Sequence, residues 1–399
     1  MTPGPPIILV SPSAHYPAHN WSNTAALMRA LRAQGQNVQA VIFSTATEPI
    51  PPDLQSFVLP VFSRLPPGWK RVVTGKWQQR PWGAVMNLCE TVTCLRRAAA
   101  EARKQSRAGH PESVLHFIGG SYWIVVLAAL VSRRLRFVYS LYGGMLSGPA
   151  SGWKGRLRCH LRKLLQRAVA TGRLDFTCEN ELLREELAPL VGAHIHVIPY
   201  AVDENENLPA PDEARRRLEL PANEKILLFF GTHRLEKDYR TALAGAARLA
   251  SPPLALFVGR LISANDPRQV AAGLHYPRVR IVSEFVPEDM AKYYFAAADV
   301  VALPYEADFS RGSGVLIECC RHLRPMIASA TPYFSAFLAQ YACGLTYGPG
   351  DSASFAEALN RLLSGDRDFR PELERARHAH SWTVTVDQYL ALYFPSAAK

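Results

Sequence analysis

The chain has 399 residues, 48% of them hydrophobic and 20% charged, with a formal net charge of +11. That length exceeds one ordinary hydrophobic core and points to two domains, while the composition excludes a collagenous, low-complexity or disordered chain. No apolar run reaches the roughly 20 residues of a membrane-spanning helix, and the start MTPGPPIILV lacks the layout of a secretion signal.

Short apolar strands alternate with longer helical patterns, the signature of parallel sheets wound by helices. A strand at 7–10 leads through the loop SPSAHYPAHNW to a helix at about 23–34, closed by Gly35; strands follow at 38–43, 114–118, 136–141 and 175–178. Two basic segments interrupt this series. Residues 64–82 mix five Lys/Arg with Trp69, Trp77 and Trp82, and residues 153–173 read as a helix with Leu157, Leu161, Leu164 and Leu165 on one face and cations on the other. Such faces suit an anionic bilayer surface or a nucleic acid, and equally a solvated helix packed by its leucines. The first half carries 23 Lys/Arg against 10 Asp/Glu in residues 1–200, and the rest 22 against 24, so only the first half is expected to meet an acidic partner.

HIHVIPYAVD ends the first unit near residue 200, and the acidic, Pro-containing stretch 203–224 reads as a linker. Strands resume at 226–230, 254–258, 279–282, 299–303 and 325–328, and a Trp- and Tyr-rich helix at 381–394 closes the chain. Seven cysteines show no framework spacing, Cys319 and Cys320 being adjacent, so free thiols and a cytoplasmic location are expected.

Two segments carry chemistry. In ILLFFGTHRLEKD (226–238) a buried strand ends at Gly231, and Arg234 and Lys237 follow where a helix is expected to begin. A glycine-ended strand lets a ligand approach the backbone, and helix N–H groups with two cations favour phosphate. In DVVALPYEADFSRGSGVLIECC (299–320), Ser313 and Gly314 open a helix whose Ser313, Gly314 and Val315 N–H groups would cradle an anion, with Glu318 one turn further in.

With HVIPYAVD, FVPEDMAKYYFAAADVVALPY and YACGLTYGPGDSASFAEALNRLL, these segments resemble the family 4 retaining glycosyltransferases of the GT-B fold. The resemblance is to the subgroup with a Ser-Gly turn in place of the first glutamate of the paired-glutamate motif. It implies an α/β fold with two Rossmann-like doubly wound domains facing across a cleft. Residues 1–200 would bind the acceptor, residues 201–380 the nucleotide-sugar donor, and the helix at 381–399 would return to the N-terminal domain. Arg234 and Lys237 would be catalytic, stabilising the leaving diphosphate. Gly231, Thr232, Ser313, Gly314, Val315, Glu318 and Tyr142 would contact the donor, with Glu318 on the ribose. No metal or other cofactor is implied beyond the nucleoside-diphosphate sugar as co-substrate.

The departures from the family pattern are local. The first glutamate falls on Ser310, with Asp308 or Glu306 as substitutes; Tyr142 stands where a histidine is usual; and His116 lies beside the position, Ile118, that aligns with the functional histidine. His15, Tyr16, His19, Asn20 and Trp21 would line the cleft in place of the family's paired glycines. His19, Asn20, His116 and Asp308 are thus the candidates for acceptor or sugar contact. The acceptor would be a lipid-linked or anionic glycan reached at the inner face of a membrane, with no nucleic acid partner. Asp366-Arg367-Asp368 has a metal-binding spacing but reads as a turn, and His194/His196 and His378/His380 lack ligand companions. A nucleotide-sugar epimerase of the same fold and a non-catalytic polyanion binder remain as alternatives.

Overall fold

Apolar runs such as IILV and ILLFF have no polar alternation and suit strands buried on both faces, which is the environment of a parallel sheet covered by helices. The computed structural model describes residues 5–12, 20–43, 50–61, 81–109, 113–142, 152–204, 206–261, 265–284, 286–309 and 312–395. Contacts divide the chain into two compact units, Met1–Pro199 with Thr385–Lys399, and Tyr200–Val384.

The first unit contains β1 (Ile7–Ser11), α1 (Asn20–Ala33), β2 (Val38–Phe43), β3 (Val58–Val61), α2 (Pro81–Arg107), β4 (Val114–Ile118), α3 (Tyr122–Val131), β5 (Arg136–Leu141), α4 (Gly152–Val169), β6 (Leu174–Cys178), α5 (Glu181–Val191) and β7 (Ile195–Val197). Its strands pair in parallel in the order β3-β2-β1-β4-β5-β6-β7. Phe117, Phe137, Tyr139 and Phe176 fill the core beneath the helices. Each such ring contributes about 1.5–3 kcal/mol by leaving water.

The second unit contains α6 (Pro211–Arg217), β8 (Ile226–Phe230), α7 (Tyr239–Ala246), β9 (Leu254–Val258), α8 (Pro267–Gly273), β10 (Val279–Val282), α9 (Glu288–Ala297), β11 (Val300–Leu303), α10 (Gly314–Arg321), β12 (Met326–Ser329), α11 (Pro332–Tyr341), β13 (Gly344–Tyr347), α12 (Ser352–Leu363) and α13 (Arg370–Ala379), and α14 (Trp382–Tyr393) follows. This sheet is also parallel, in the order β10-β9-β8-β11-β12-β13. The chain winds outward from β8 to β10 and then returns beside β8 as β11. The switch point therefore lies between the carboxyl ends of β8 and β11, where open α/β sheets bind ligands.

The end of α14 is anchored in the first unit. Arg136 donates to the carbonyls of Leu392 and Tyr393 at 3.2 and 2.9 Å and pairs with Asp175 at 3.0 Å. These last carbonyls of a helix have no donor of their own, and the guanidinium supplies one. His116 corrects an expectation here. It is fully buried, with Nδ1 2.6 Å from the Tyr393 hydroxyl and Nε2 2.8 Å from Ser140 Oγ. Burial holds its pKa down at about 3. Both ring nitrogens serve the core, so no face of His116 is left for a sugar. Trp21, expected at the cleft, is likewise a core residue.

Candidate active site

The two segments singled out in the sequence meet at the switch point. Gly231 leaves β8 with φ of 86°, the left-handed region that glycine tolerates. A Cβ added there would lie 3.4 Å from Val315 Cγ2 and 3.9 Å from Lys237 Nζ, so the strand end, the first turn of α10 and the lysine converge on one point. Gly259, after β9, has φ of 130°, and a Cβ on it would overlap the Gly231 carbonyl at 2.4 Å. The two strand ends approach this closely because Gly259 has no side chain.

Lys237 is buried, and its Nζ turns back to donate to the Phe230 carbonyl at 2.8 Å, under the Tyr305 ring. Burial, reinforced by the neighbouring Arg234 guanidinium and opposed by Glu236, lowers its pKa from 10.5 to about 7. Arg234 is the exposed member of the pair and sits 3.6 Å from Glu236. The loop is stitched down by backbone bonds from Asp238 N to Pro304 O at 2.6 Å and from Glu306 N to Glu236 O at 2.9 Å.

One detail departs from expectation. Arg234 and Lys237 precede the helix, which begins at Tyr239, and Asp238 occupies its N-terminus by accepting from Thr241 N at 3.0 Å. At this edge the start of α10, unlike that of α7, has no side-chain cap. Ser313 stands at the N-cap position of α10, but its hydroxyl does not cap; it lies 3.2 Å from the Tyr305 hydroxyl. Gly314 is exposed with open space around its Cα. The first N–H groups of a helix have no acceptor within it, so those of Gly314 and Val315 suit an external anion.

Glu318 lies one turn in, partly buried. Its Oε2 is 3.1 Å from His322 Nε2, its Oε1 is 3.6 Å from Arg321, and Arg321 bonds Glu206 at 2.7 Å. His322 is buried and stacks on Phe295 at 4.8 Å, and Phe295 packs on Phe230, the residue before Gly231. These contacts hold the Glu318 carboxylate, an acceptor of several hydrogen bonds, in one rotamer.

Thr232 is partly exposed beside Gly231. Glu306 and Asp308 are exposed in the loop after β11, Glu306 being tied by its backbone to the cation loop. Tyr142 follows β5 in the first unit, with 39% of its surface exposed. His15, Tyr16, His19 and Ser310, and nearly all of segment 64–82, fall outside the described residues, as does the side chain of Asn20. Asp366 and Asp368 form an exposed turn in which Asp368 accepts from Arg370 N. Among the described residues no group of three His, Cys, Asp or Glu is arranged to hold a metal ion.

Three supporting residues escaped the sequence reading. Tyr305 links the lysine to Ser313. His233 is buried, 2.5 Å from the Tyr239 hydroxyl, with its pKa lowered to about 3 by burial and then by Lys237. Asn265 donates to two carbonyls of the cation loop. A second strand-glycine pair, LFVG (256–259) echoing FFG (229–231), was a readable sign of the Gly231–Gly259 contact.

Residues 224–365 match the family model Glycosyl transferases group 1. The chain is 30% identical over 203 residues to a D-inositol 3-phosphate glycosyltransferase of Corynebacterium urealyticum, a match covering 46% of each chain. It thus spans about half the length of the curated relatives it matches. Among solved structures it resembles the sucrose-phosphate synthase of Thermosynechococcus elongatus, with a TM-score of 0.71 at 19% identity over 99% of both chains. It also resembles Anabaena HepE in complex with UDP and glucose, with a TM-score of 0.65 at 16% identity over 98% of this chain and 99% of that one. The fold is GT-B: two Rossmann-like parallel sheets, of seven and six strands.

Proposed function

We propose that this chain is a glycosyltransferase that moves a hexosyl group from a nucleoside-diphosphate sugar to an acceptor hydroxyl, with retention of configuration and without a metal ion. The observation that carries the reading is the buried Lys237 beside Gly231 and the α10 N-terminus, at the switch point of a sheet matched by the group 1 glycosyltransferase model. The UDP and glucose bound by a protein of the same fold support a nucleotide-sugar donor.

Residues 201–380 act as the donor domain. Cleavage of the glycosyl–phosphate bond leaves negative charge on the diphosphate. Arg234 and Lys237 neutralise it together with the N–H groups of Gly314 and Val315, which is electrostatic stabilisation of the leaving group. Gly231 and Thr232 allow the phosphates close to the backbone, and Glu318 accepts from the ribose hydroxyls. Asp308 or Glu306 takes the place of the missing acid toward the sugar.

Residues 1–200 act as the acceptor domain, with residues 381–399 as its returning helix. They take a lipid-linked or anionic glycan at the cytoplasmic face of a membrane, with Tyr142, Asn20 and His19 as candidates for contact with the substrates. Support comes from the charge asymmetry and from α4, where Arg156, Arg162, Lys163 and Arg167 are exposed. On α4 Leu165 is core and Leu164 partly buried, whereas Leu157 is half exposed among the cations. Among the described residues no helix is long and apolar enough to cross a membrane, so attachment would be to the surface, at about 1 kcal/mol per cation.

The test is release of nucleoside diphosphate from UDP-, GDP- and ADP-sugars with lipid-linked glycan acceptors, in EDTA. Lys237→Ala should lower turnover about 10²–10³-fold at saturating donor; unchanged turnover contradicts the assignment. An inverted anomer by NMR contradicts retention. Failure to sediment with anionic vesicles at physiological salt contradicts the membrane surface.

A further inference from the structure

The geometry points to Asn265 as the positioning residue of the diphosphate site, acting by holding the carbonyls of Arg234 and Lys237 together. The inference rests on the donor reading above and names how its cations are kept in place.

Asn265 lies between β9 and α8, on a different segment from the cations. Its Nδ2 donates to Arg234 O at 2.6 Å and to Lys237 O at 2.9 Å. A side-chain amide has two N–H donors, and here both go to the two residues that carry the charges. Lys237 N also reaches Arg234 O at 3.2 Å, so the segment is a turn and the amide closes its open side. The same segment is also fixed by backbone bonds from Asp238 to Pro304 and from Glu306 to Glu236. Loop 234–238 is thus clamped between the end of β11 and a single amide.

The clamp matters because Lys237 and Arg234 repel one another, while Glu236 attracts both and the lysine donates to the Phe230 carbonyl. The amide's two donors converge on both carbonyls. The next residue, Asp266, caps α8 by accepting from Arg268 N at 2.9 Å, which fixes the backbone from which Asn265 reaches. Asn265 approaches the loop through its carbonyls, so it acts through Arg234 and Lys237.

The test uses the full chain and calorimetric titration with UDP, GDP and ADP and with the matching nucleosides. Asn265→Leu keeps the volume, removes both donors and adds no charge; Asn265→Ser keeps one. The nucleoside diphosphate that the wild type binds should bind about ten-fold more weakly to Asn265→Leu, the size expected for a lost pair of neutral hydrogen bonds. Asn265→Ser should fall between, and nucleoside affinity should stay within about two-fold, since the base and ribose contacts are elsewhere. In a Lys237→Ala background Asn265→Leu should cost less than about two-fold, because coupled residues are non-additive. Equal loss of nucleoside and diphosphate, an undiminished loss in the Lys237→Ala background, or no loss at all overturns the inference. If no nucleoside diphosphate binds the wild type, or Lys237→Ala binds it normally, the donor reading fails and the inference falls with it. Normal loss in Lys237→Ala with none in Asn265→Leu removes the inference alone.

Discussion

Raising the pH should weaken diphosphate binding through Lys237. In the free protein burial and Arg234 lower this lysine to about 7, so above that pH its ammonium has mostly lost its proton. A bound diphosphate favours the charged form. A unit charge at 4 Å in a medium of effective dielectric about 20 supplies about 4 kcal/mol, enough to lift the pKa by about 3 units toward its ordinary value. Binding above pH 7 therefore takes up a proton. Affinity falls close to ten-fold per pH unit, or about fifty-fold between pH 7 and pH 9. The stability effect has the opposite sign. The unfolded lysine keeps its proton up to 10.5 while the folded one releases it near 7, so folding gains stability as pH rises through that window. Titration calorimetry at pH 6 to 9, in buffers of different ionisation enthalpy, reads both affinity and proton uptake. Lys237→Ala should bind more weakly at pH 6 and lose most of the pH dependence above 7. A wild-type affinity independent of pH from 7 to 9, or the same dependence in Lys237→Ala, refutes the reasoning.

Gly259→Ala should collapse the site, because its Cβ would meet the Gly231 carbonyl at a positive φ; a loss of about 1–3 kcal/mol on denaturant unfolding is expected, and unchanged stability with normal nucleotide binding would contradict the close approach. His322→Leu removes the donor to Glu318 Oε2, and the expected result is poorer discrimination between ribo- and 2′-deoxynucleoside diphosphates, with His322→Gln closer to wild type; titrations with both nucleotides measure it. Glu90, buried on α2, is raised to about 8 by burial. Folded protein keeps that proton while unfolded chain loses it near 4.5, so its share of stability declines as pH rises from about 4.5 to 8, by up to about 1.4 kcal/mol per unit. Glu90→Gln should flatten that slope in melts at pH 5 and 8.

Central strands such as β1 and β8 were legible because they are buried and read as unbroken apolar runs. The strands that escaped notice, β3, β7 and β13, are all sheet edges. Val58–Val61 contains Pro60, which an edge tolerates and a central strand does not. Gly344 in β13 allows a close approach to the Met326 carbonyl, and a glycine inside a short strand weakens its sequence signal. At the site, charge and glycine spacing pointed to Arg234, Lys237, Gly231 and the Ser313–Val315 turn. What spacing cannot express is a contact between distant segments: the Asn265 amide beneath the cation loop, Tyr305 against Ser313, or Glu206 on Arg321. His116 misled for a related reason. A histidine within a strand near a cleft can serve a ligand or the core, and only its two partners, Tyr393 and Ser140, decide between them.

The most direct measurement is a titration of the full-length chain with UDP, GDP and ADP in EDTA, repeated with Arg234→Ala. One nucleoside diphosphate binding well above the others, at 100 times its dissociation constant adding about 2.7 kcal/mol of stability, and losing most of its affinity in Arg234→Ala, is the expected result. No binding by any of the three, or binding that Arg234→Ala leaves intact, contradicts a diphosphate site at the end of β8.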